Sequence, residues 1–309
     1  MCKMFRKLLA FVLLMPLVIY GQYERPGSTS AQFLKIDVSP RAAAMGHAYI
    51  SVSDGAEGTV YNPAALAWIR GTDVVFTHTN WFAGINHEFA AIAHNMPAIG
   101  CFGVSVTALY TDEMDVTTPL QPDGTGETFY ASNYRFGLSY ARFLTDRVTI
   151  GLTANYIHLA LYSDFKESAV SMDIAAYYVT EFRDFKFGME IANFGSSIRF
   201  VDETYPLPGN FTFGMSMNAL ERADQELLVS LAGVKPNDGQ PLAQIGTEWN
   251  YDQLLFLRGG YRLNHDVESY SFGGGLQFDV ARLTTRFDYS YSDYDLLGAT
   301  HRIGIGINL

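Results

Sequence analysis

From Val74 to the last residue the chain is a succession of segments in which every second residue is apolar, the period of an extended strand with two different faces. Tyr134, Phe136, Leu138 and Tyr140 alternate with Arg135, Gly137 and Ser139, and Val148, Ile150, Leu152 and Ala154 with Thr149, Gly151 and Thr153. The same pattern recurs at Phe185–Ile191, Phe211–Met217 and Phe287–Tyr291, and in the closing run of Ile303, Ile305, Ile307 and Leu309. It predicts strands near 72-84, 86-96, 99-110, 129-143, 147-161, 167-181, 185-199, 209-220, 225-235, 241-250, 253-262, 268-279, 281-292 and 298-309. An even number of strands, each of about ten residues or more, is what a tilted strand needs to cross a bilayer in a closed barrel.

Alternation alone does not say which face meets water. The polar positions decide it, because they are Gly, Ser, Thr and Asn with scattered Lys186, Glu190, Arg258, Arg262, Arg286 and Asp288. Such a face suits a crowded lumen, while the aliphatic and aromatic face suits lipid. A soluble barrel would carry its apolar face inward. The expected class is therefore all-β: a 14-stranded antiparallel transmembrane β-barrel spanning 71-309. Tight connections near Thr145-Asp146, Arg183-Asp184 and Asp279 alternate with long ones at 111-128 and 200-208. In outer-membrane barrels short turns face the periplasm and long loops the outside, so the reading is cell outer membrane of the Gram-negative type, with both termini periplasmic.

Residues 22-70 do not alternate and are too apolar for a linker. Ser39-Pro40-Arg41-Ala42-Ala43-Ala44-Met45-Gly46 reads as a short helical turn opened by Ser and Pro, and Asn62-Pro63-Ala64-Ala65-Leu66-Ala67 repeats the design with Asn as cap. Two short helices ahead of a fourteen-strand barrel fit inside its lumen as a helical N-terminal plug. Ahead of them, Arg6 and Lys7 precede an apolar run from Leu8 to Tyr20 that ends at Gly21. That is the plan of a cleavable signal peptide over 1-21, too short for a comfortable membrane helix.

Composition narrows the function. Beyond the signal segment no run of about 18 apolar residues offers a spanning helix. The formal charge is -11, and loss of Lys3, Arg6 and Lys7 with the signal segment takes it to -14, which argues against nucleic acid as a partner. Cys101 is the one cysteine left after such cleavage, so no internal disulfide is expected. His78, His87 and His94 lie close in sequence, but on paired strands they need not converge, and no metal site is expected. Tyr49, Asp54 and Glu57 lack the alternating oxygens and turn glycine of a calcium loop. Gly273-Gly274-Gly275 lies inside an alternating strand without a following Lys-Ser/Thr, and reads as a place where plug and wall come close. With no Gly-x-Ser-x-Gly elbow, no catalytic residues and no cofactor are assigned.

The stretch Phe33-Leu34-Lys35-Ile36, Ser39 to Gly46, Ala48-Tyr49, Asp54 and Tyr61 to Ala67 resembles the start of the PorV/PorQ family of outer-membrane proteins associated with type IX secretion. That family in turn resembles the wider FadL-type group of fourteen-strand barrels with an Asn-Pro-Ala element in an N-terminal hatch. The resemblance singles out Arg41, Met45, Gly46, Asn62 and Pro63 as a plug motif, structural or binding. It implies a barrel that binds or shuttles exported cargo proteins, with a secretion-channel subunit and that cargo as partners besides outer-membrane lipid. The alternative it implies is a FadL-like channel for uptake of hydrophobic small molecules. Met114, Leu120, Tyr205 and Leu207 on the two long loops are the candidate external contacts in either case. Arg258, Arg262 and Arg286, set against Glu190, Glu248 and Asp288, are expected to form internal ion pairs that lock the plug.

Overall fold

A computed structural model describes residues 25-162, 165-200, 202-265, 267-280 and 283-309. The signal segment expected over 1-21 lies outside the described residues. Fourteen strands form one closed antiparallel barrel: β1 (Thr72–Asn80), β2 (Ile85–Met96), β3 (Gly100–Thr111), β4 (Ser132–Phe143), β5 (Val148–Ala160), β6 (Lys166–Val179), β7 (Lys186–Gly195), β8 (Asn210–Glu221), β9 (Gln225–Pro236), β10 (Leu242–Tyr251), β11 (Leu255–Leu263), β12 (Tyr270–Val280), β13 (Leu283–Asp293) and β14 (Ala299–Asn308). Each pairs with its neighbours in sequence, and β1 closes on β14 from Asp73↔Asn308 to Asn80↔His301. Closure leaves no sheet edge unpaired, which a strand crossing hydrocarbon requires.

The period-2 pattern is what sets the two faces. On β4, Phe136 and Leu138 are exposed on the outside while Arg135, Gly137 and Ser139 are buried inside. Val104, Ile150, Leu152, Val170, Ile174 and Ile303 make the same outer band. Aromatic residues gather toward its two borders, Phe102, Tyr140 and Phe143 near one rim and Tyr134, Tyr156, Tyr270 and Tyr289 near the other, as membrane interfaces favour. The chain is a transmembrane barrel.

The connections differ between the rims. Among the described residues, one rim carries 97-99, 144-147, 180-185, 222-224 and 252-254, and the other carries 81-84, 112-131, 161-162, 196-200, 202-209, 237-241, 264-265, 267-269 and 294-298. The long connections hold two small hairpins, Met114–Asp115 with Thr128–Phe129 and Ile198–Phe200 with Glu203–Tyr205. One irregularity in the wall matters for what lies inside it. At the β6–β7 ladder the register shifts between Met172 and Ile174, where Asn193 (φ 58°) turns its backbone N–H out of the ladder and onto Asp173 Oδ1 at 2.7 Å.

Residues 25-70 run inside the barrel. Their start lies at the long-loop rim, where Ser30 N–H donates to Pro206 O at 2.9 Å and Thr29 and Lys35 reach Asp238 in connection 237-241. The short helix α1 (Pro40–Ala44) packs on β12 and β13, a second, α2 (Gly58–Tyr61), lies near β3 and β4, and a 3-10 turn at Pro63–Trp68 packs on β4 to β6. The segment leaves at the short-turn rim, where Thr72 and Leu309 exchange backbone hydrogen bonds. The N-terminus of the expected periplasmic pair lies outside the described residues; of the described chain, residues 25-36 sit at the long-loop rim and Leu309 at the opposite one. Turn asymmetry fixes only where β1 begins and β14 ends, whereas the inner segment traverses the whole lumen before β1.

Candidate functional site

The inner segment meets the wall through small residues. Gly246 has Met45 O where a Cβ would stand, at 2.5 Å, and Gly188 has Ile50 O at 2.5 Å, so only a residue without a side chain lets the two backbones approach. Gly273, in the triplet singled out by sequence, faces Ala44, with Gly275 against Asp288 and Arg258. Wall hydroxyls then satisfy carbonyls that short helices leave open: Thr149 donates to Ala64 O at 2.8 Å, Ser230 to Ala48 O at 2.6 Å, and Tyr177 to Ser51 O at 2.9 Å.

The motif residues fall in two groups on different parts of the wall. Ser39 caps α1, its hydroxyl accepting from the N–H groups of Arg41 and Ala42, with Pro40 at the first helical position. Met45 is fully buried, and Gly46 (φ +59°) turns the chain so that its N–H reaches Ser271 Oγ at 3.1 Å. On the opposite side Asn62 accepts from Ala64 N–H at 3.1 Å and donates to Ile50 O at 2.8 Å, tying the two halves of the inner segment together, while Pro63 lies on Gly151.

Arg41 organises the lower lumen. Its Nε and Nη2 grip Glu248 at 2.7 Å each, and Nη1 meets Asp54 at 2.6 Å. Glu248 is shared with Arg258 (2.5 Å), Arg258 with Asp288 (2.5 Å), Asp288 with Arg286 (2.7 Å), and Arg286 returns to Asp54 (3.4 Å). Three arginines and three carboxylates thus form a ring of alternating charge, closed through the inner segment. Enclosure works against the Asp54 charge, but Arg41 and Arg286 outweigh it and hold that carboxyl well below the usual range. Glu57 has the opposite balance: burial pushes it up despite Arg286, and it accepts from the Tyr49 hydroxyl at 2.8 Å. Asp54 and Glu57 are thereby committed to arginine and tyrosine. The expected pairing is corrected in two members. Arg262 is outside the ring and pairs with Glu268 at 2.5 Å, and Glu190 faces a different sector, its Oε1 buried without a partner.

Nearer the long-loop rim, His47 (φ 66°) lies between Asp37 on Nδ1 and Glu268 on Nε2, the latter at 2.9 Å. Burial and the neighbouring Arg262 push its pKa down, and Asp37 and Glu268 outweigh them, so it is raised. This cluster joins the inner segment to connection 264-269.

Under the hairpin of 196-209 the lumen is packed with an apolar cluster, a chamber whose interior Phe33 already fills. Leu109, Ile157, Leu159 and Ala169 supply its wall, Ile198, Phe200 and Leu207 its roof, and Phe33 of the inner segment inserts between them. Asp238 fastens that segment, accepting from Lys35 at 2.6 and 2.8 Å, from Thr29 at 2.5 Å and from Gln32 at 3.2 Å. The floor is polar: Arg135 contacts Asp173 and Asn155, each at 2.9 Å, beside the Asn193 irregularity. Sequence reasoning did not single out Phe33, Arg135, Asp173 or Asp238 as site residues. Arg135 and Asp173 carried a signal, since each is a charge on the inward face of an alternating strand.

Of the expected external contacts, Leu120 is 93% exposed and Met114 is exposed, Tyr205 is half-buried, and Leu207 is buried at 3%. Leu207 therefore belongs to the chamber and leaves the set available to a partner, because the hairpin folds inward over Phe33. The three histidines share no centre, since His87 faces the lumen whereas His78 and His94 face outward, His78 against Glu88 at 2.6 Å and His94 against Thr72 at 2.8 Å.

The whole fold is similar to solved structures of outer-membrane channels of the FadL family. These include the toluene transporter TbuX of Ralstonia pickettii (14% identity, covering 87% of this chain and 96% of that one, TM-score 0.57). The toluene transporter TodX of Pseudomonas putida gives 12% identity, 88% and 97% coverage and a TM-score of 0.57, and a FadL homologue of Pseudomonas aeruginosa 10%, 87%, 97% and 0.54. At such identities the likeness establishes the fold. These neighbours are transporters and not enzymes, and they carry the FadL-type part of the sequence resemblance without singling out the PorV/PorQ branch. No family model matches the sequence, and no curated protein is significantly similar to it.

Proposed function

We propose that this chain is a plugged channel that admits small hydrophobic molecules across the outer membrane. The observation that carries the reading is the apolar chamber at the long-loop rim, built from Leu109, Ile157, Leu159, Ile198 and Leu207 above a polar floor. Elsewhere in the lumen apolar wall residues such as Val75 and Phe89 pack on the inner segment, whereas here an outer hairpin also closes over them, and withdrawal of Phe33 would leave the apolar recess with a few polar groups that a small hydrophobic ligand needs. Phe33 occupies it with a group the size of a monoaromatic hydrocarbon. Long connections facing outside and short ones facing the periplasm orient the chamber toward the supply of solute. The ion-paired inner segment, with Arg41, Asn62 and Pro63 in structural roles, then acts as the plug that denies passage to water and ions.

The test is uptake of labelled toluene by cells that lack channels of their own. Cells producing the chain should take up toluene faster than vector controls and a sugar no faster, and Ile157→Trp, whose larger ring would take the space that Phe33 must vacate, should abolish the gain. A folded, heat-resistant barrel that gives no uptake above control for toluene, long-chain alcohol or fatty acid overturns the proposal. One observation favours the second reading, binding of exported proteins: Leu120 and Met114 stand exposed on connection 112-131, away from the chamber. Recovery of a secretion-channel subunit or cargo by the wild type but not by Leu120→Ser would transfer the assignment to it.

A further inference from the structure

Arg302 is the one lumen arginine that does not hold a carboxylate among the described residues. Arg41, Arg135, Arg258, Arg262 and Arg286 each do. Arg302 is fully buried near the long-loop end of β14, and its Nη atoms donate only to hydroxyls: Thr300 at 2.9 Å, Ser292 at 3.3 Å and Tyr294 at 3.5 Å. Its guanidinium lies 5.6 Å from the Trp81 ring centroid, under an aromatic group of Trp81, Phe82 and Tyr294. Its Nε donor has no partner.

The surrounding positions repeat that deficit. Strand register sets Thr79 opposite Arg302 across β1 and Ser290 opposite it across β13, with His87 opposite Thr79 on β2. Cross-strand neighbours on one face stand about 5 Å apart, so Thr79 and Ser290 flank Arg302 on its two sides, and His87 lies one strand further, beyond Thr79. Thr79 Oγ1, Ser290 Oγ and His87 Nε2 are all buried without a partner, as is Thr77 Oγ1 one inward position further along β1. Polar atoms are costly to bury unpaired, and Thr79 Oγ1, Ser290 Oγ and His87 Nε2, on strands adjoining a guanidinium that holds no carboxylate, call for a common partner.

The local charge gives that partner its sign. Asp37 and Glu268 are the carboxylates whose field Arg302 feels, and both are engaged by His47, with Glu268 also on Arg262. Asp37 and Glu268 are thus taken up by His47 and Arg262, and Arg302 is the cation of this group that neither carboxylate contacts.

We propose that Arg302, Thr79, Ser290 and His87 form a site for a compact monovalent anion, either a free halide or the carboxylate of a small molecule. All four side chains can donate to it, through the guanidinium Nε–H, two hydroxyls and an imidazole Nε2–H. A metal cation would meet a guanidinium and no free carboxylate, so the same set rejects it. The site stands whether or not the barrel passes hydrophobic solutes.

Trp81 is a built-in reporter, because bromide bound beside Arg302 quenches an indole stacked on it. The experiment uses the full chain in detergent with Trp68→Phe and Trp249→Phe, titrated with sodium bromide replacing sodium sulfate at constant ionic strength. Saturable quenching is expected, with at least tenfold weaker apparent affinity in Thr79→Val/Ser290→Ala, which keeps Arg302 and the packing of the wall. Displacement of bromide by acetate identifies a carboxylate site, and saturation without displacement a halide site. Quenching that rises linearly with bromide and is the same in both proteins would mean that these atoms are satisfied by ordered water only, and would overturn the proposal.

Discussion

Gly259 and Gly260 are adjacent on β11 and point to opposite sides of the wall, which makes them a matched test of how the inner segment is seated. A Cβ at Gly260 would overlap the backbone N of Gly46 and the carbonyl carbon of Met45, and would stand 2.6 Å from Gly46 Cα. Those atoms cannot swing aside. They belong to a turn with two consecutive left-handed residues, Gly46 and His47, fixed by Ser271 on one side and by buried Met45 on the other. A Cβ at Gly259 meets nothing nearer than Thr247 Oγ1 at 4.0 Å.

Replacing Gly by Ala inside a strand contributes about 0.5–1 kcal/mol through the unfolded chain wherever the space is free. Gly259→Ala should therefore raise stability by about that amount. Gly260→Ala receives the same contribution, but forcing a methyl against rigid backbone costs about 1–3 kcal/mol, so it should be net destabilising and lie about 2 kcal/mol below its neighbour. Urea unfolding in phospholipid bilayers, followed by tryptophan fluorescence, reads the difference as a shifted midpoint at unchanged slope. If the turn yields by lifting off the wall instead, Gly260→Ala should gain protease cleavage within 25-70 that Gly259→Ala lacks. Two alanine variants with equal midpoints and equal resistance to protease would refute the seating of Met45-Gly46 on β11.

Glu248→Gln removes the carboxylate that Arg41 and Arg258 share, leaving two buried guanidinium groups undercompensated, and should cost about 3–5 kcal/mol in the same assay; a loss below about 1 kcal/mol would mean the ring contributes little to stability. Leu138→Arg, at the middle of β4 and 61% exposed on the outer face, should cost about 2–4 kcal/mol, whereas Phe187→Arg, one residue from the start of β7 and so near the interface, should cost about 0–1; the reverse order would invalidate the depth assignment. His47 has a raised pKa in the folded chain, so its contribution is complete below its ordinary value of about 6.5 and is lost as pH rises through the folded value. Wild-type urea midpoints should fall over that alkaline window, and those of His47→Gln should not; parallel pH profiles would show that the imidazole is not held by Asp37 and Glu268.

Sequence made the barrel wall legible and left most of the lumen obscure, for one physical reason. Strand faces follow from period 2, a local property, so fourteen strands and their lipid-facing residues could be read directly. The errors lie where a local feature breaks the period. The segment expected over 72-84 ends at Asn80, because Trp81 leaves the strand and Ala83 takes a positive φ in a 3-10 turn. The one expected over 185-199 ends at Gly195, beyond the Asn193 irregularity. Inside the barrel, partners are set by how far the inner segment travels before each turn, which no periodicity records. Arg258 and Arg286 could be recognised as lumen arginines, but Arg262 joins His47, and Glu190 lies beside Asp173, because those choices depend on the level at which the segment passes.

That distribution bears on how a closed lumen can transmit a solute. The lower inner segment is tied to the wall by the ring of arginines and carboxylates, so breaking any one member exposes a buried charge. The upper segment, 29-36, is held differently: one carboxylate, Asp238, takes Thr29, Gln32 and Lys35, and Lys35 is partly open to solvent, where such a pair contributes little. Movement is therefore cheapest where Phe33 fills the chamber and most costly at Arg41. On this reading a hydrophobic solute displaces the upper segment while the lower plug stays closed to ions, so Asp238→Asn should speed toluene entry without raising ion conductance in planar bilayers. Conductance rising together with uptake would mean that the two halves of the segment move as one.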